Sequence, residues 1–160
     1  IGFPLGATST QAKVAEAHIA QEQGAKEFDM VLNIGRLKDK DYAYVSDEIK
    51  AVKAAAGHNV LKVIIETCLL SEAEKEAACA CVLEGGADFV KTSTGFSTGG
   101  ATVEDVALLS RCVAGRIKVK AAGGVRSIED VREMIKAGAQ RIGTSGGVKL
   151  IQGEKTEGNY

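Results

Sequence analysis

The sequence predicts a parallel α/β fold, read as a (β/α)8 TIM barrel lacking its first two βα units, with about six parallel strands and intervening helices. Three observations lead there. Strand-like and helix-like segments alternate along the chain. One phrase recurs at three helix-to-strand junctions: "EQGAKEFDM" at 22–30, "EGGADFVKT" at 84–92 and "KAGAQRIGT" at 136–144. Charged residues also stand at or near the C-terminal ends of the strands, where a core would hold apolar ones.

The repeated phrase reads as a helix end, Gly-Ala, two polar residues and a strand. Glycine suits the left-handed position that stops a helix, and the next strand begins within the few residues typical of tight connections. Helix starts are marked by "SEAE" at Ser71, "TVED" at Thr102 and "SIED" at Ser127, each a hydroxyl residue three positions before an acid, as in a capping box. The strands are "EFDMVLN" (27–33), "VLKVIIET" (60–67), "DFVKTS" (88–93), "IKVKAAGG" (117–124) and "RIGTSG" (141–146), with "IGFP" as a leading sixth stub. Most are near-continuous apolar runs, the mark of strands covered on both faces by helices. No Pro/Gly linker interrupts them, so residues 1–160 read as one partial-barrel domain with a polar C-terminal tail over 150–160. The opening "IGFPLG" reads as an element entered midway.

An open doubly wound sheet is the competing architecture, and side-chain parity decides against it. Alternation places Asp29 with Asn33, Lys62 with Ile64 and Glu66, Phe89 with Lys91 and Ser93, and Lys118 with Lys120 and Ala122 on one side of their strands. An ionised group out of water is costly unless paired, so several such lysines form a pattern. A barrel gathers them around one axis and places its active site at the C-terminal mouth, whereas an open sheet scatters them. Lys62 and Lys118, early or midway on their strands, fit a structural ion pair as well as a catalytic role. Lys91 and Lys120, each followed by a turn of small residues, fit catalysis better.

Net charge is −1, from 20 basic and 21 acidic residues without a basic block, which gives no sign of nucleic acid or a membrane surface as partner. The apolar runs are too short to span a bilayer. Cys68, Cys79, Cys81 and Cys112 form no C-x-x-C pair, and His18 and His58 have no second histidine at ligand spacing, so no metal site or cofactor is expected. Such cysteines read as small buried hydrophobes in a reducing cytoplasm.

"KAAGGVRS" (120–127) and "GTSGGVK" (143–149) place glycine-rich backbone before helix starts, where N–H groups suit an anion. In barrels, the loops after strands seven and eight are the frequent phosphate cradle. A lysine that adds to a carbonyl and loses water forms a Schiff base, provided it attacks as the free amine. Desolvation and a neighbouring like charge both favour that form, and lysines on adjacent strands supply both. With Asp29 as a proton relay, these parts suggest a metal-free aldolase acting on a small sugar phosphate.

"EFDMVLNIG", "LKVIIETCLL", "DFVKTSTGFSTGGATVEDVALL", "VKAAGGVRSIEDV" and "RIGTSGGV" together closely resemble the deoxyribose-phosphate aldolase family, from Ile1 to about Val148. The resemblance implies a class I aldolase that reversibly cleaves 2-deoxy-D-ribose 5-phosphate to glyceraldehyde 3-phosphate and acetaldehyde. It implies Lys91 as the Schiff-base lysine, with Lys120 and Asp29 as proton-transfer partners. Gly123, Gly124, Gly143 and Ser145 match the phosphate-contacting turns, joined by Gly95; Lys62 and Glu66 stand as supporting residues. It also implies two further βα units before "IGFPLG", so a truncated domain held together by self-association is the alternative reading, beside another Schiff-base phosphosugar aldolase. Some family members carry a lysine where Phe96 stands, so Phe96 receives no phosphate role.

Overall fold

Each of the three Gly-Ala junctions closes its helix with the same pair of backbone hydrogen bonds. Gly24, Gly86 and Gly138 take positive φ, and their N–H groups reach back to Gln21, Leu83 and Ile135. The following alanines, Ala25, Ala87 and Ala139, donate to Ala20, Val82 and Met134. That is a Schellman motif three times over, and it explains the repeat: only glycine adopts the left-handed turn without a Cβ penalty.

A computed structural model describes residues 1–154 of the chain. The element order is α1 (Thr10–Glu22), β1 (Glu27–Val31), α2 (Ile34–Lys38), α3 (Tyr42–Ala56), β2 (Val60–Ile64), a 3-10 turn (Thr67–Leu69), α4 (Glu72–Glu84), β3 (Phe89–Lys91), α5 (Val103–Val113), β4 (Lys118–Ala122), α6 (Ile128–Lys136), β5 (Arg141–Gly143) and α7 (Gly147–Ile151). The strands form one parallel sheet in the order β1-β2-β3-β4-β5. Ser71 and Ser127 close full capping boxes with Glu74 and Asp130. Thr102 caps α5 through the Asp105 N–H alone, while the Asp105 carboxylate turns to Lys75.

Two expectations need correction. Among the described residues there are five strands, because "IGFP" makes only one rung against β1. The Ile1 nitrogen donates to the Asp29 carbonyl, and the Ile1 carbonyl accepts from Val31. Gly2 then takes φ 67 and the chain turns away, closed by the Gly6 N–H on the Gly2 carbonyl. Second, two helices rather than one lie between β1 and β2, since Asn33 ends β1's extension by capping α2 through its side chain. Of the tail expected over 150–160, Leu150 is a buried residue of α7, and residues 155–160 lie outside the described residues.

Strand alternation separates two environments. Phe28, Met30, Leu61, Val63, Val90, Val119 and Ala121 join the helices' apolar residues in one buried core. Glu27, Asp29, Lys62, Phe89, Lys91, Lys120 and Arg141 occupy the other face, and their contacts show that the sheet curls. In a flat sheet, spacing of about 4.8 Å would set β1 and β4 about 14 Å apart, and β1 and β5 about 19 Å. Yet Asp29 on β1 reaches Lys120 on β4 at 2.9 Å, and Glu27 reaches Arg141 on β5. The described part is thus an arc of a barrel with its charged face inward.

One buried ion pair fastens α1 to this arc. The Lys13 Nζ lies 2.6 Å from Glu48 on α3 and donates to the Val31 carbonyl at 2.8 Å, with both side chains fully enclosed. Burial pushes the lysine's pKa down and the glutamate's up, so the pairing does not fully offset desolvation. Lys13→Met should therefore cost about 3–5 kcal/mol by leaving a buried carboxyl unpaired. Lys13→Met with Glu48→Leu should recover most of that loss in denaturant unfolding midpoints.

Candidate active site

Asp29 is the meeting point of three strands' lysines. Its Oδ2 accepts from Lys91 of β3 at 2.6 Å and from Lys120 of β4 at 2.9 Å, and its Oδ1 accepts from Lys62 of β2 at 2.8 Å. The parallel register sets this up by pairing Asp29 with Lys62, and Lys91 with Lys120. Lys62 continues the chain of charges to Glu27 at 2.8 Å, and Glu27 in turn accepts from Arg141. Four cations thus share two carboxylates, which leaves the inner face positive and attractive to an anionic substrate.

Burial alone would raise the Asp29 pKa, but the hydrogen bonds from Lys62, Lys91 and Lys120 outweigh it and hold the carboxyl well below the usual range. Burial lowers the Lys120 pKa, aided by Lys91 and Lys62 and opposed by Asp29. The Lys91 side chain is 5% exposed, and the Phe3 ring lies 5.9 Å from its Nζ. Phe3 meets the exposed Phe96 edge to face at 6.4 Å. Lys118, one of the undecided lysines, stays out of this cluster. It lies over the Phe89 ring at 5.6 Å, toward the strand's start, and Arg141 stacks on the same ring at 5.1 Å.

Beyond Lys91 the chain opens into the loop 92–102, which docks on the end of β4. The Ala101 N–H donates to the carbonyls of Ala122 and Gly123, and Gly100 approaches so closely that a Cβ there would fall 2.4 Å from the Gly123 carbonyl carbon. Between the two loops lies a polar cavity of about 280 Å³, lined by Gly95 and residues 97–100 on one side and by Gly123, Gly124 and Arg126 on the other. Gly95, Gly123 and Gly124 are therefore brought together.

Gly143, the last residue of β5, and Ser145, in the loop that follows, do not line this cavity. Thr144 ties that loop to the Val125 carbonyl at 3.2 Å. A Cβ on Gly143 would come within 3.3 Å of the Lys120 Cε, so Gly143 makes room for the lysine stem. Glu66, buried and left-handed at φ 53, accepts from the Thr94 N–H and hydroxyl. Ser97, Thr98, Gly100 and Arg126 were not singled out in the sequence. Their signal was the "STGG" that continues the lysine's loop and the arginine just after "AAGG".

A curled parallel sheet with adjacent lysines and a carboxylate on its inner face, beside a glycine-rich polar cavity, defines a barrel enzyme of the aldolase class. A family model described as DeoC/LacD family aldolase matches residues 4–152, and the chain belongs to that family. The deoxyribose-phosphate aldolase of Streptococcus uberis is 58% identical over 160 residues, covering 100% of this chain and 73% of that relative. That of Thermococcus kodakarensis is 60% identical, covering 98% of this chain and 71% of the relative. Among solved structures, an aldolase designated QR15 superposes with a TM-score of 0.92 at 47% identity over 95% of this chain and 69% of its own. A tetrameric deoxyribose phosphate aldolase from Aeropyrum pernix gives 0.83 at 37% identity, over 95% of this chain and 64% of its own. No described helix is long and apolar enough to cross a membrane.

The linkage around Asp29 has a definite sign. A depressed carboxyl pKa contributes stability that is present above the unfolded value near 4 and is lost as pH falls through the folded value. Asp29→Asn should thus lower unfolding stability by about 3 kcal/mol at pH 7, and the difference from wild type should shrink as pH falls below about 4. Denaturant titrations across that range measure it.

Proposed function

We propose that the protein reversibly cleaves 2-deoxy-D-ribose 5-phosphate to glyceraldehyde 3-phosphate and acetaldehyde, with Lys91 as the Schiff-base lysine. The observation that carries this reading is the convergence of Lys91 and Lys120 on one oxygen of Asp29. The relatives' names and the glycine-rich cavity between the loops that follow Lys91 and Lys120 support the same substrate.

The free amine of Lys91 adds to the C1 aldehyde of the open-chain sugar, and loss of water leaves an iminium. Lys120, whose proton burial loosens, supplies the proton with which that water leaves. Asp29, kept ionised by its lysines, then takes the C3 hydroxyl proton as the C2–C3 bond breaks, and hands it on to Lys120. The electron pair goes into an enamine on Lys91, and glyceraldehyde 3-phosphate departs. Lys120 returns a proton to C2 of the enamine, and water hydrolyses the resulting iminium to acetaldehyde and free Lys91. Arg126 and the backbone N–H groups of the cavity hold the phosphate, which fixes C1 against Lys91. We place the enzyme in the cytoplasm, a reading supported by four cysteines without a disulfide.

Acetaldehyde with borohydride should leave an ethyl group on Lys91, located by peptide mass mapping; an adduct on another lysine, or none, would refute the assignment. Lys120→Ala and Asp29→Asn should each lower kcat by about 10²- to 10⁴-fold in a coupled assay of glyceraldehyde 3-phosphate release.

A further inference from the structure

Glu66 is a carboxylate enclosed at the mouth of the arc, 2% exposed, on a backbone that takes the left-handed φ 53. Both features cost free energy, and neither is needed to end β2. What they secure is the start of the loop after Lys91. The two carboxylate oxygens lie 3.2 and 3.4 Å from the Thr94 N–H, and one of them also accepts the Thr94 hydroxyl. That hydroxyl oxygen accepts in turn from the Phe96 N–H at 3.0 Å, so Gly95 is spanned by a chain that begins at Glu66. The next turn of the same segment continues the grip. Cys68 meets Ser97 at 3.4 Å and Thr98 at 3.8 Å, and a Cβ on Gly99 would fall 2.9 Å from the Cys68 Cβ.

The loop gripped in this way, Gly95 and residues 97–100, is one wall of the polar cavity. Its far end is pinned on Ala122 and Gly123, which lead into the other wall. We propose that Glu66 is a positioning residue for phosphate recognition: acting through Thr94, it sets the loop 95–100 at the distance from Gly123 and Gly124 that an oxyanion needs. This rests on the phosphosugar reading above. Glu66 touches no reacting atom, and its effect falls on anchoring the substrate rather than on bond cleavage.

The test is Glu66→Gln, which keeps the shape but offers the Thr94 N–H and hydroxyl one acceptor oxygen in place of two, with Thr94→Val and Thr94→Ser beside it. For Glu66→Gln, KM for 2-deoxyribose 5-phosphate should rise roughly tenfold while kcat falls less than about threefold. The loss in kcat/KM should exceed that for unphosphorylated 2-deoxyribose by about the same tenfold factor. Calorimetric binding of inorganic phosphate should weaken in parallel. Thr94→Val should reproduce these changes, and Thr94→Ser, which keeps the hydroxyl, should not. Equal losses on both sugars together with a lost borohydride adduct at Lys91 would make Glu66 merely structural and overturn the proposal. So would an unchanged KM, or full phosphate binding by Thr94→Val should Glu66→Gln fail to fold. A wild type that binds phosphate in a Glu66-dependent way but cleaves no sugar would sink the activity and leave this inference standing. A wild type that cleaves the sugar, with Glu66→Gln unchanged, would do the reverse.

Discussion

The arrangement turns on one carboxylate. Asp29 lies in a partly buried place where a single lysine would be costly, and it holds three of them at hydrogen-bond distance. Without its charge, Lys62, Lys91 and Lys120 would repel one another across the inner face of the sheet. With it, three strands contribute cations to a small volume, and Lys91 and Lys120 meet on one carboxylate oxygen.

That constraint also links chemistry to architecture. The hydrophobic effect acts on the other face, where Met30, Leu61, Val63, Val90 and Val119 pack under the helices without regard to curvature. Curvature shows in the polar contacts, since Asp29 to Lys120 and Glu27 to Arg141 span strands that a flat sheet would hold well apart. The Glu27–Lys62–Asp29 series sets opposite charges side by side along that face. A similar economy recurs outside the sheet, where Lys13 and Glu48 fasten α1 against α3 and the end of β1.

Downstream of the lysine, the loops at the mouth meet partly through backbone. Gly100 lies against Gly123 with no room for a Cβ, and Ala101 bonds to two successive carbonyls of β4's end. Thr144 extends the connection to the loop after β5. The loop that follows Lys91 and the loop that follows Lys120 are thus tied to each other through their backbones.

The sequence by itself determined the parallel α/β class, the three helix ends with their Gly-Ala signature, the three hydroxyl N-caps, of which Ser71 and Ser127 but not Thr102 close full capping boxes, and the side of the sheet on which Lys91, Lys120 and Asp29 stand. These are local or strictly periodic signals, fixed by backbone sterics and by the two-residue repeat of a strand. It misjudged "IGFP", whose apolar letters look like a strand but whose Gly2 turns the chain after one rung. It left Lys62 and Lys118 undecided. Only the tertiary structure decided that Lys62 joins Asp29 while Lys118 stays on Phe89, and that Glu66 governs Thr94. The physical reason is that strand stagger and sheet curl set which side chains stand at the same height along the barrel. Those quantities arise from contacts between residues 28 to 114 positions apart in the chain, which no local pattern records.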